Sequence, residues 1–348
     1  MHKFDLIEIR GETPFARGVS YGMQAREKIS SCIHDYNEYF QRHTKLSTNQ
    51  LRTYSMAYVP SICEKAPDTF EELQGIAEGA GVELEELMVL NCRYEITKQP
   101  QVEECTTAAV LSEAAPNGPL LIKNWDYRAG VLDHIVILHI HEADGIRILG
   151  LTEAGQLIRE GFNNRGVGLC NNALKSIYDG PGIGIPATFL RRKVLTCKSF
   201  DEAKALILST SRSVSNNMLL ASADNRALDI EASPVGNELI EPSYGILTHA
   251  NHFVVQRELN AWNYSYRDTR MRELLEARNG SIDVDYVKTC AMDHANYPKC
   301  ICSHPEDTEA LLADREMTVA NLIIDFRAGK AHVCAGPPCQ GEYYTYSI

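Results

Sequence analysis

Apolar positions along the chain follow two periods, and the change comes at Cys105. Upstream, residues from about Ala16 to Arg42 space their apolar side chains as a helix does, after a turn at Gly11-Glu12-Thr13-Pro14. Pro67 stands near the start of a second helix through Glu71, Leu73, Ile76 and Ala77, which Gly79 and Gly81 are expected to end. Leu84 to Ile96 reads as a third, anchored by Leu84, Leu87, Val89 and Leu90. In this first part only Met1 to Arg10 alternates like a strand.

From Cys105 the period becomes two. Strands are expected at Thr107–Leu111, Leu120–Lys123, His134–His141, Arg147–Thr152, Val167–Asn171, Met218–Ala223, Ala227–Ala232 and Met317–Asp325, parted by Gly, Asn, Asp and Pro turns. Helical spacing returns at about Pro186–Leu195, Asp201–Leu208, Arg267–Arg278 and Val284–Asp293. No repeat or linker divides the chain. Antiparallel runs with interspersed helices imply one layered α+β body.

Composition narrows the partners. A net charge of −12 argues against nucleic acid or an anionic membrane as the main partner. No apolar run approaches the length of a membrane span. The start has no signal-peptide core and Thr345-Tyr346-Ser347-Ile348 is no Ser-Lys-Leu address, so the expected compartment is the cytoplasm.

In a reducing compartment most of the eleven cysteines should be free, buried thiols. The tightest group, Cys300-Ile301-Cys302 with Cys290, His294 and His304 nearby, lacks the paired knuckles of a zinc site. His139 and His141 share one face of a strand, but no third ligand is evident beside them. No metal or other cofactor is expected.

Candidate chemistry centres on Glu104-Cys105-Thr106-Thr107, where a thiol heads a strand. Lys123-Asn124-Trp125-Asp126-Tyr127 and His249-Ala250-Asn251-His252 follow, so a carboxylate and an amide-bearing loop are available to the thiol. This is a plausible acyl-transfer set. Taken alone, Cys105 reads rather as a buried structural thiol.

Eight ordered blocks carry a resemblance: "GETPFARGVSYG", "ELQGIAEGAGVELEELMVLNCRYEI", "ECTT", "KNWDY", "TEAGQL…GFNNRGVGLCNNAL", "LTHANHF", "NYPKCIC" and "MTVANLIIDF". Together they resemble the isopenicillin N acyltransferase family, relatives of choloylglycine hydrolases and penicillin V acylases. The resemblance implies the N-terminal-nucleophile hydrolase fold, an αββα sandwich of two antiparallel sheets between helical layers. It implies a precursor, one domain over 1–348, that cleaves itself at Glu104-Cys105. A helical segment 1–104 and a catalytic segment 105–348 would then stay together as a heterodimer, with a higher homo-oligomer open.

By the same resemblance Cys105 is the nucleophile, Asp126 the carboxylate beside the new amino terminus, Asn251 the side-chain donor of the oxyanion hole and Arg315 the active-site arginine. Asn172, with Asn171 and Tyr127, is expected to line the substrate pocket. Two positions depart from the pattern: Glu104 stands where the family often has Gly, and Lys123 where bile-salt hydrolases carry an arginine.

A free thiol is only about 3% thiolate at pH 7, while an exposed α-amine with a pKa of about 7.7–8.0 is a competent general base. The expected activity is therefore acyl transfer through an acyl-Cys105, from a small acylated amine or acyl-CoA to water or an amine. Three alternatives stand beside it: a processing-deficient homologue that binds ligand or partner without catalysis, a Cys–His dyad with His249 or His252, and a metal or redox protein around Cys290, Cys300, Cys302 and His304. Arg128, near Asp126, is a weaker candidate for holding a substrate carboxylate.

Overall fold

The computed structural model describes residues 3–97, 104–180, 182, 184–261, 264–307 and 309–348. Its strands are β1 (Asp5–Ile9), β2 (Glu104–Val110), β3 (Leu120–Arg128), β4 (Ile135–His141), β5 (Arg147–Glu153), β6 (Glu160–Asn163), β7 (Val167–Ala173), β8 (Asn216–Ser222), β9 (Arg226–Ser233), β10 (Gly236–Ile240), β11 (Ile246–His249), β12 (Glu316–Asp325), β13 (Lys330–Ala335) and β14 (Tyr343–Ser347). The helices are α1 (Pro14–Gln24), α2 (Arg26–His43), α3 (Thr48–Met56), α4 (Val59–Lys65), α5 (Pro67–Ala80), α6 (Leu84–Asn91), α7 (Arg93–Thr97), α8 (Ala187–Val194), α9 (Phe200–Ser209), α10 (Arg267–Glu276) and α11 (Val284–Ala291).

The strands form two sheets. One runs β1-β4-β5-β6-β7-β8-β9-β10 and the other β11-β2-β3-β12-β13-β14. All pairs are antiparallel except β1 with β4, where the amino-terminal strand joins the first sheet's edge in parallel.

The second sheet sorts its side chains by parity, as a pleat must. Cys105, Ala109, Leu121, Trp125 and Tyr127 enter the main core, while Ala108, Val110, Leu120 and Ile122 pack outward with Met271, Leu275 and Val287 of α10 and α11. In the first sheet β6, β7 and β8 are buried at every residue, so both its faces are covered. Sheet lies against sheet with helices outside, the α+β sandwich that the motifs implied.

Long helical patterns are broken where the chain must turn. The 16–42 run divides at Ala25, and 84–96 divides at Cys92. Gly81 ends α5 in the left-handed conformation (φ 70°), with Gly81 N–H donating to Glu78 and Val82 N–H to Ala77. Gly79 is not part of that stop.

Instead Gly79 belongs to a glycine contact between α1 and α5. A Cβ on Gly18 would stand 2.0 Å from the Glu72 carbonyl, and one on Gly75 2.1 Å from that of Phe15. Gly22 and Gly79 meet backbone at 2.4 and 2.3 Å in the same way. Only hydrogen fits there. Gly75→Ala is therefore expected to cost about 1–3 kcal/mol in urea unfolding. Gly236→Ala, with nothing within 4 Å of the added carbon, should stay within about 0.5 kcal/mol.

Candidate active site

Pairing of β2 with β3 sets Glu104 opposite Asp126 and Cys105 opposite Trp125. Cys105 therefore points into the sandwich, on the face that Lys123 and Trp125 share, while Glu104 and Asp126 point towards α10. The thiol is fully buried. Beneath it Lys123 Nζ donates to the Asn171 carbonyl at 2.6 Å and pairs with Glu160 at 2.8 Å.

The Glu104-Cys105 peptide is held from the second sheet's outer side. Cys105 N–H donates to Asn251 Oδ1 at 2.6 Å, and Asn251 Nδ2 donates to the Ala173 carbonyl at 3.0 Å. Asn251 thus meets the Cys105 backbone through its acceptor atom. Arg267, the first residue of α10, pairs with the Glu104 carboxylate and reaches Asn251 Oδ1 at 3.5 Å.

Asp126 Oδ1 accepts the Thr318 hydroxyl at 2.6 Å, and among the described residues its Oδ2 has no hydrogen-bond partner. Burial pushes this carboxyl up to about 7, against the opposing pull of Arg267 and the Thr318 bond. Glu316 is likewise pushed up to about 7, by burial and by the nearby Glu104. Three carboxyl groups therefore surround one guanidinium.

Other predicted residues fall around this centre. Asn172 Nδ2 donates to Thr107 Oγ1 at 2.8 Å and to Asn217 at 3.3 Å, two residues along β2 from the thiol. Asn171 lies in the sandwich beside Arg159 and Glu160. Tyr127 is buried against Trp125 and Tyr36, away from solvent. Arg128 is bound to Asp35 of α2 and stacked on Tyr36 and Tyr39, so it is a structural cation.

Arg315 stands immediately before β12. Its Nε donates to the Ala310 carbonyl at 3.1 Å, and its own carbonyl receives Ala129 N–H. The guanidinium at the Glu104-Cys105 bond belongs to Arg267, which the motifs did not mark. One signal was available: an arginine in a helix's first turn opposes the macrodipole, so something else must hold it there.

The histidines have other work. Both ring nitrogens of His249 face acceptors, Nδ1 the Ala250 carbonyl at 2.7 Å and Nε2 Glu231 at 2.9 Å, so both carry protons. Burial disfavours that charge, yet Asp229 and Glu231 outweigh it and push His249 up to about 9. A buried imidazolium is no base for Cys105. His252 Nδ1 receives Ser265 N–H at 3.4 Å and its Nε2 lies 3.9 Å from Asp268.

A cleft of about 40 Å³ is lined by Tyr94, Thr97, Ala173, Lys175 and Asn216, beside the Asn172 end of β7. A larger one, about 430 Å³, lies elsewhere, around Arg17, Glu72, Glu142 and Arg192.

Known proteins resemble this chain over most of its length. The chain is 28% identical over 335 residues to the acyl-coenzyme A:6-aminopenicillanic-acid-acyltransferase 40 kDa form of Emericella nidulans, covering 94% of this chain and 91% of that protein. It is 25% identical over 327 residues to protein dcd1A of Dictyostelium discoideum, covering 80% and 71% respectively. Among solved structures, the Caenorhabditis elegans N-acylethanolamine-hydrolyzing acid amidase ortholog aligns with a TM-score of 0.49 at 14% identity, covering 64% of this chain and 93% of that one. The profile of one family, described as acyl-coenzyme A:6-aminopenicillanic acid acyl-transferase, matches residues 114–340, more than half of the sequence, and the chain belongs to that family.

Proposed function

We propose that this protein is a self-processing acyltransferase or amidohydrolase whose nucleophile is Cys105. The family profile begins at residue 114, downstream of the cysteine, so support for the nucleophile comes from the site. The carrying observation is the convergence on one peptide bond: Asn251 on the Cys105 N–H, Arg267 on Glu104, and across the strand Asp126, with a buried oxygen that has no partner among the described residues.

The first reaction is an N-to-S acyl shift. Cys105 Sγ attacks the Glu104 carbonyl carbon, the C–N bond breaks, and the nitrogen takes a proton to become the α-amine of Cys105. Water then hydrolyses the thioester and leaves Glu104 with a free carboxyl group. The new ammonium supplies a partner for Asp126 Oδ2, which has none among the described residues. Asn251 Oδ1 accepts from the same nitrogen before and after the cut.

In turnover the α-amine takes the thiol proton and Sγ attacks the acyl donor, forming acyl-Cys105 and releasing the amine or thiol. Water or an amine then accepts the acyl group. Arg267, freed of Glu104, supplies positive charge for the thiolate and the tetrahedral oxyanion. The substrate class is a small acylated amine or an acyl-CoA.

Denaturing mass spectrometry of freshly purified protein tests the reading. With a 38.8 kDa chain, pieces of roughly 12 and 27 kDa are expected, the larger beginning at Cys105, and Cys105→Ala stays whole. A wild-type chain that remains intact and resists acyl labelling on Cys105 would leave the ligand-binding homologue as the function.

The identity of the arginine is tested by the rate at which the fragments appear. Arg267→Ala should slow cleavage by roughly 100-fold, with partial recovery in Arg267→Lys. Arg315→Ala should slow it far less, and the reverse order would return the role to Arg315.

The Cys–His dyad is tested through stability. His249 sits above its ordinary 6.5, so its contribution is full below about pH 6.5 and is lost as pH rises through about 9. Urea unfolding of wild type should lose on the order of 3 kcal/mol over that window. His249→Gln should be less stable throughout and lack that slope. An unchanged slope would mean that His249 is neutral and free to act as a base.

A further inference from the structure

We propose that His294, Cys302, His304 and Cys339 form a structural binding site for a divalent ion of the zinc class. One ligand atom from each of these four residues lies within 4.8 Å of all the others. His294 Nε2 and His304 Nε2 are 3.1 Å apart, His304 Nε2 and Cys339 Sγ 3.4 Å, and His304 Nε2 and Cys302 Sγ 3.7 Å.

Those separations are what tetrahedral coordination requires. Bonds of about 2.0–2.1 Å to nitrogen and 2.3 Å to sulfur place ligands about 3.3 Å apart for N···N and about 3.6 Å apart for N···S. Two imidazoles and two thiols pointing at one place have few protons to satisfy each other, and a dication takes a lone pair from each. Cys₂His₂ suits zinc in ligand type, and four protein ligands close the site, so its role is structural.

The ligands come from two pieces of chain. His294, Cys302 and His304 lie in the irregular stretch between α11 and β12, and Cys339 in the turn between β13 and β14. A connection this long without regular structure needs pinning. Backbone bonds already pre-form it: Cys302 N–H donates to the Asp293 carbonyl at 3.1 Å, and the Ile301 carbonyl accepts Asn124 Nδ2 at 2.7 Å.

Sequence spacing hid this set. The suspected thiols Cys290 and Cys300 are not in it: Cys300 Sγ turns to the Cys302 carbonyl at 2.9 Å, and the fourth ligand comes from a hairpin far along the chain. The ion would brace more than a loop. Ser303 N–H, between two ligands, donates to Thr318 Oγ1 at 2.8 Å, and that hydroxyl donates to Asp126. The clamp therefore holds in place the support of a candidate catalytic carboxylate.

The test is metal content of the full-length chain, expressed in zinc-supplemented medium and purified without chelator. Elemental analysis should find about one zinc per chain. Cys339→Ser and His294→Ala should each lose it. His139→Ala, at the other histidine pair beside Glu8, should keep it. Because a variant that misfolds also loses metal, wild type is stripped with chelator, its fold checked by circular dichroism, and titrated with Co²⁺. The visible absorption of tetrahedral, thiolate-ligated cobalt is expected, and it should be absent from Cys339→Ser of equal helicity. Zinc should also raise the melting temperature of stripped wild type and not that of the variant. A metal-free wild type with no cobalt spectrum, a Cys302–Cys339 disulfide in the native chain, or full metal retention in both ligand variants would overturn the proposal.

Discussion

Charge buried between the two sheets is the constraint on which the rest of the molecule depends. Lys123 of β3 pairs with Glu160 of β6, and Glu153 of β5 binds both Arg93 and Arg159, with every one of these side chains shut off from water. An ion left alone there costs several kcal/mol, whereas a paired and hydrogen-bonded one is tolerated. A one-residue slip of either sheet would send these partners to opposite faces. The register that brings Cys105 opposite Trp125 is thus enforced by electrostatics as well as by apolar packing.

The same pairs tie the segment before Cys105 to the body after it. Arg93 in α7 meets Glu153, Asp35 in α2 meets Arg128, and Glu72 in α5 meets Arg192 at 2.7 Å. Residues on both sides of position 104 also share one hydrophobic core. Cutting one peptide bond removes none of these contacts. Under the proposed self-processing the two pieces would separate only by stranding charges in apolar surroundings, so they would remain one folded unit.

How much was legible in the sequence follows from the range of each interaction. The period-two strands of the core and the four later helices were readable because burial of one face imprints a local pattern. Strands β6, β10, β11 and β14 were not, being short or edge elements whose pairing partners define them, and neither was the interior strand β13. Gly18, Gly22, Gly75 and Gly79 carry a tertiary contact that composition does not announce. Cys105, Asp126 and Asn251 were named through ordered motifs, and the fold brings them around one peptide bond. Arg267 was not marked, because a helix-initial arginine looks solvated until Glu104 and Asn251 are placed beside it. Cys339 escaped for the same reason, since only folding brings its hairpin to His304.

Glu104 is the departure that most needs a physical account. A glycine before the nucleophile would relieve crowding, but here a carboxylate pairs with Arg267 and faces Asp126, with Glu316 close by. In the intact chain burial holds Asp126 and Glu316 near 7, and the Glu104 carboxylate adds to that push. Cleavage would change the balance twice over. The departing segment would carry Glu104 away from Arg267, and the bond it breaks would create an ammonium next to Asp126. Both changes lower the cost of ionising the remaining carboxyl groups, so the electrostatics favour the processed state. On this view Glu104 holds the intact strand in register through Arg267 while adding to the acidic excess that processing relieves.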